Sequence, residues 1–139
     1  MYLLDTNVVS ELRRPRPHPA VLGWLKVTDD AALHLSAVTI AEIQSGIERT
    51  RDHDTGKAEE LEEWLDTVSA TYSVLPMDAA AFRRWAQLMH RRSDTLYEDA
   101  MIAATALCHG FTVVTRNVRD FALFHVPVFD PFAYKEGDA

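Results

Sequence analysis

Short apolar runs and longer stretches of helical spacing take turns along this chain. Tyr2–Leu4 is a brief apolar run that ends in Asp-Thr-Asn, a strand followed by a helix-cap signal. Pro19 can open a helix that carries Val21, Leu22 and Leu25 inward. Leu33–Ser36 reads as a second strand, and Val38–Thr50 as a helix with Ile40, Ile43 and Ile47 on one side. In Lys57–Ser69, Leu61, Trp64, Leu65 and Val68 follow the i, i+3, i+4, i+7 pattern, with five acids opposite. Ser73–Leu75 reads as a third strand, and Asp78 as the cap of a helix with Phe82, Trp85, Ala86 and Met89 on one face. Leu96–His109 is a helix of small residues closed by Gly110. Phe111–Thr115 is β-rich without alternation, which suits a strand buried on both faces. Val126–Phe129 is a last strand, where Pro127 is tolerable at an edge. Strands alternating with helices predict a three-layer α/β/α fold around a mostly parallel sheet of about five short strands.

Length and composition narrow this picture. The 139 residues suit one domain, expected over 1–135, with a frayed tail at 136–139. The formal net charge of −7 argues against a simple nucleic-acid coat protein. Cys108 is the only cysteine, so neither an intrachain disulfide nor a thiolate zinc site can form. The start lacks a basic region before its apolar run and does not read as a signal peptide. The longest apolar stretch, about Ala100–Cys108, is far short of a membrane span. A cytoplasmic protein without membrane association is expected.

Four acids stand in places that ask for a reason. In open parallel α/β sheets, ligands bind beyond the carboxyl ends of the strands. Asp5 directly follows the first strand, Glu42 lies early in the helix after the second, and Asp120 follows the Phe111–Thr115 strand by five residues. Asp99 begins the helix before that strand, in line with Ile102, Ala103 and Ala106 on its apolar face. Each also has a structural reading. Asp5 can close an Asx turn, Thr39-x-x-Glu42 is a capping-box pattern, and Asp120 can sit in the first turn of a helix capped by Asn117. Thr95-x-x-Glu98 forms another such box, which gives Glu98 a structural task and leaves Asp99 without one. Carboxylates gathered at one sheet edge repel one another, and a Mg²⁺ or Mn²⁺ ion resolves that repulsion.

At this point the chain resembles a known family. The segments Leu4-Asp5-Thr6-Asn7, Ser36-x-x-Thr39-x-x-Glu42-x-x-x-Gly46, Asp99-x-x-Ile102-Ala103-Ala104-Thr105-Ala106 and Thr115-Arg116-Asn117-x-x-Asp120-Phe121 look like those of the PIN domain. With the closing Val128-Phe129-Asp130-Pro131-Phe132, they resemble bacterial VapC-type and FitB-type toxins in particular. The resemblance runs from residue 2 to about 132. The approach to Asp99, Ser93–Glu98, lacks the proline that relatives often carry there.

The resemblance implies a metal-dependent endoribonuclease, the toxin of a type II toxin–antitoxin pair. Asp5, Glu42, Asp99 and Asp120 would hold Mg²⁺ or Mn²⁺, with Asp5 and Asp99 closest to the ion. Thr6 and Thr115 become candidate hydroxyls supporting the acids, and Asn117 a candidate to orient a carboxylate. Arg116 and Arg119, flanking Asn117 and Asp120, are the better candidates for RNA contact among several loop arginines. The implied partners are the RNA substrate, a second copy of the chain, and a DNA-binding VapB- or FitA-like antitoxin whose C-terminal segment occludes the site.

Three other classes fit the residues less well. A haloacid-dehalogenase-type phosphatase wants Asp-x-Asp, and Asn7 stands in place of the second acid. A response-regulator receiver wants a lysine after a late strand, and none follows Phe111–Thr115. A PIN fold kept as a non-catalytic RNA-binding or interaction module has no reason to hold four repelling carboxylates together.

Overall fold

Successive residues of a strand face opposite sides of its sheet. Leu3 and Leu4, both fully buried, therefore start two separate cores. In the computed structural model, which describes residues 1–137, β1 (Tyr2–Leu4) is the middle strand of five. Beside it lie β2 (Leu33–Ser36) and β4 (Thr112–Val114), and outside these β3 (Ser73–Leu75) and β5 (Val128–Phe129). The order is β3-β2-β1-β4-β5, and every pairing is parallel. Leu3 lies level with Val113, and Leu4 with Leu35 and Val114.

Among the described residues, seven α-helices complete the outer layers: α1 (Thr6–Glu11), α2 (Pro19–Lys26), α3 (Ala37–Arg51), α4 (Thr55–Thr71), α5 (Ala79–Met89), α6 (Tyr97–His109) and α7 (Val118–Ala122). On the Leu4 side, Val8 and Val9 of α1, Val21 and Trp24 of α2 and Val68 of α4 close one core. On the Leu3 side, Ala100, Ile102, Ala103 and Ala106 of α6 pack with Phe121, Phe124 and Val126. A smaller cluster of Ile47, Ala58 and Leu65 joins α3 to α4. The expected three-layer architecture is present, with a sheet wholly rather than mostly parallel.

Local signals explain most boundaries. Pro19 occupies the first position of α2, and His18 Nδ1 accepts from the Ala20 amide at 3.2 Å. Asp78 caps α5 through the Ala81 amide at 2.9 Å. Gly110 ends α6 with φ of +69°, a left-handed conformation that glycine adopts without a Cβ penalty. Two expectations need correction. Thr6–Glu11, legible only as a cap signal, is a full helix whose Val8 and Val9 are buried. On α5 the wholly buried residue is Ala81, whereas Phe82 is 45% exposed. The expected tail begins at Glu136, and its last two residues lie outside the described residues. Among the described residues no helix is long and apolar enough to cross a membrane.

Candidate active site

The chain builds strands to one side of β1 and then returns to place β4 on the other. The strand order therefore reverses between β1 and β4. Such a switch point leaves a crevice at the carboxyl ends of the two strands. Asp5 follows β1 there and Thr115 follows β4. The Asp5 amide donates to the Val114 carbonyl at 2.9 Å, which continues the ladder to the crevice edge.

The Asp5 carboxylate is 4% exposed and fully engaged. One oxygen accepts from the Thr6 amide at 2.8 Å. The other accepts from Thr115 Oγ1 at 2.8 Å and from Asn7 Nδ2 at 3.2 Å. The buried Thr115 hydroxyl in turn accepts from the Asn117 amide at 2.9 Å. Burial raises the Asp5 pKa above its ordinary value, and the bonds from Thr115 and Thr6 hold that rise back.

Glu42 occupies the first turns of α3. Thr6 Oγ1 lies 3.1 Å from Glu42 Oε1 and 3.1 Å from Thr39 Oγ1. An ionised carboxylate can only accept, so the Thr6 proton serves Glu42 and Thr39 supplies its own. The structural reading of Thr39-x-x-Glu42 as a capping box does not hold, because Ser36 caps α3 through the Val38 amide at 3.1 Å. Glu42 is thereby free to face the crevice. Burial raises its pKa, the Thr6 bond opposes this, and the charges of Asp5, Glu98 and Asp99 add to the rise.

Asp99 sits half-buried in the first turn of α6, where the helix dipole favours an anion. Its pKa is nonetheless pushed up to about 6, first by burial, then by the charges of Asp5, Asp120 and Glu98. Like-charge crowding and desolvation outweigh the dipole here. Asp120 is exposed on α7, close enough to act on Asp99.

Two residues play parts that the sequence reading did not assign. The expected Thr95–Glu98 capping box does not form. Ser93 Oγ takes the Thr95 amide at 3.3 Å, and α6 begins at Tyr97, with Leu96 before it making no side-chain capping bond. Glu98 is consequently a fifth acid whose charge bears on both Glu42 and Asp99. Asn117 stands before α7, but its side chain makes no capping bond and its amide serves Thr115. Asn7 instead braces the carboxylate, with its Oδ1 accepting from the Arg116 amide at 3.4 Å. The Asp5-x-Asn7 spacing within Leu4-Asp5-Thr6-Asn7 is the signal for this role.

Arg116 and Arg119 line an open concavity of about 430 Å³ with Asp120. The Arg116 guanidinium lies 4.4 Å from the centre of the Phe132 ring, and neither arginine forms an ion pair among the described residues. Other loop arginines have structural tasks. Arg92 donates to the Leu88 and Leu123 carbonyls, and Arg14 pairs with Glu11.

Among the described residues, no three His, Cys, Asp or Glu side chains form a ready-made metal cage. The donor set still suits a hard divalent ion, because Mg²⁺ keeps several waters and needs only one or two carboxylates. Burial and then the charge of Asp5 push the Asp99 pKa up to about 6, and the repulsion within this pair is what such an ion would relieve.

A parallel sheet with carboxylates at its switch point defines the class, and the PIN domain model matches residues 2–124. The chain belongs to the PIN domain family. It is 34% identical to the VapC ribonuclease Y4jK of Sinorhizobium fredii, over 95% of this chain and 98% of that one. It is likewise 34% identical to the toxin FitB of Neisseria gonorrhoeae, over 95% of this chain and 99% of that one. A solved structure of FitAB bound to an IR36 DNA fragment superposes with a TM-score of 0.84 at 32% identity, covering 99% of this chain and all of its counterpart.

Proposed function

We propose that this protein is a Mg²⁺- or Mn²⁺-dependent endoribonuclease, the toxin of a VapBC-like pair. The observation that carries this reading is the Asp5–Asp99–Glu42 cluster at the switch point, where each carboxylate has its pKa raised. The similarity to a named VapC ribonuclease supports the same activity.

Asp5 and Asp99 would hold the ion, with Glu42 and Asp120 acting in part through water. When bound, the ion supplies the positive charge the cluster lacks, polarising a phosphoryl oxygen and acidifying water. Water adds to phosphorus in line, the bond to the 3′-oxygen breaks, and that oxygen takes up a proton. Thr115 and Asn7 fix the Asp5 carboxylate, and Thr6 fixes Glu42, so the acids need little rearrangement when substrate arrives. Arg116 and Arg119 would take backbone phosphates.

The partner would be an antitoxin that binds DNA and places a C-terminal segment over the carboxylates. An arginine on that segment is the natural counterion. FitAB on DNA is the related assembly.

The deciding experiment is cleavage of structured RNA by the purified protein with Mg²⁺ or Mn²⁺. Asp5→Asn and Asp99→Asn should each abolish it while circular dichroism stays native. Metal-dependent cleavage that persists in both variants overturns the mechanism.

A further inference from the structure

Between α3 and α6 runs a groove of about 470 Å³ that opens onto Glu42 and Glu98. Its volume lies within the ~300–1,000 Å³ typical of small-ligand sites. Val38, Ala41 and Met101 give it apolar lining, and Arg49 is its cation. Ser45 Oγ accepts from Arg49 Nη1 at 3.1 Å, so the guanidinium lies back along α3 towards Glu42. Arg49 makes no ion pair among the described residues, although two carboxylates line the same groove. The neighbouring Arg51 shows the contrast, held at 3.0 Å by Glu48 and 2.9 Å by Glu62. A guanidinium without a carboxylate partner keeps donors for a phosphate.

We infer that this groove seats the nucleotide adjoining the scissile phosphate, with Arg49 on its phosphate and its base against Val38, Ala41 and Met101. The inference rests on the ribonuclease reading above and adds a substrate subsite to it. One cation beside an apolar surface matches one phosphate and one base. An extended peptide is the poorer fit, because two helices offer it no strand edge to pair with.

Labelled single-stranded RNA, bound to Asp99→Asn protein in Mg²⁺ and followed by fluorescence anisotropy, tests binding without cleavage. Adding Arg49→Ala should weaken affinity about tenfold, the order of one charge-assisted contact. It should also reduce the slope of log affinity against log salt by roughly 0.7, the value for one phosphate on a single strand. Arg49→Lys should keep the slope. In the active protein, Arg49→Ala should raise KM and leave kcat within about twofold. Lys26→Ala, exposed at the end of α2, should change none of these. Unchanged affinity, slope and KM in Arg49→Ala overturn the subsite, as does a loss confined to binding of a protein partner. RNA cleavage that ignores Arg49 sinks the subsite and leaves the ribonuclease standing. Arg49-dependent RNA binding by a protein that cleaves no RNA does the reverse.

Discussion

Asp5 and Asp99 are both crowded acids, but their surroundings ask different things of them. Asp5 is buried yet supplied with three donors, so its charge is supported by neighbouring hydrogen bonds. Thr115→Val removes one donor at nearly constant shape. A hydrogen bond to a charged group contributes ~1.5–3 kcal/mol, and supporting groups of this kind are typically worth 10–100-fold in metal affinity or activity. We expect losses in those ranges by urea denaturation and by RNA cleavage, with Thr115→Ser recovering most of both. Asp99 lacks such support, and its pKa near 6 makes it the titrating member. Its folded pKa lies above the unfolded value of 3.8. The folded state therefore binds more protons between these values, and stability from this group falls as pH rises from about 4 to 6. Above pH 6 the cost stays constant, and a divalent ion should relieve it. Thermal melts should show Mn²⁺ raising Tm at pH 7.5 far more than at pH 5. Asp99→Asn should remove most of that difference, and an equal Mn²⁺ effect at both pH values would refute the assignment.

Among the elements, strands were easier to read than caps. Hydrophobic runs placed all five strands to within two residues, since burial in a parallel sheet leaves a plain mark. Capping patterns misled because several hydroxyls compete near each helix start. Ser36 and Thr39 both precede apolar turns, and the choice falls to Thr6, thirty-three residues away, which occupies Thr39. No local pattern records that contact. The same holds at α6, where Ser93 takes the amide that Thr95–Glu98 spacing seemed to reserve. Asp5, Glu42, Asp99 and Asp120 were legible because each broke a local rule, whereas Glu98 was hidden behind a rule it satisfied on paper. Two substitutions measure these helix ends. Ser36→Ala should cost about 1 kcal/mol, the usual worth of such a cap. Thr39→Ala should instead disturb Glu42 and lower activity with little effect on α3. Gly110→Ala meets no atom within 4 Å, so its penalty, about 1 kcal/mol, would come from the backbone alone. Urea midpoints of the three variants distinguish cap, site and turn.

Across the whole molecule, the net charge of −7 looks hostile to RNA until it is divided. Asp52–Asp66 holds seven acids and one base, and the exposed Glu59, Glu60, Glu63 and Asp66 turn outward on α4. Four more acids form the proposed ion site. The rest of the chain carries ten acids and thirteen bases, a positive remainder. Arg49 and the pair Arg116 and Arg119 lie in separate concavities, one bordered by Glu42 and Glu98, the other by Asp120. The strand is therefore expected to cross the carboxylates between two cationic contacts, away from α4. Neutralising Glu59, Glu60, Glu63 and Asp66 together tests this path. Diffuse repulsion is screened beyond ~8 Å at physiological salt, so at that ionic strength kcat and KM should stay within about twofold. At low salt kcat/KM should rise, because long-range repulsion slows encounter there. A large fall in kcat, or a gain undiminished by salt, would mean that α4 touches the RNA directly and that the path is wrong.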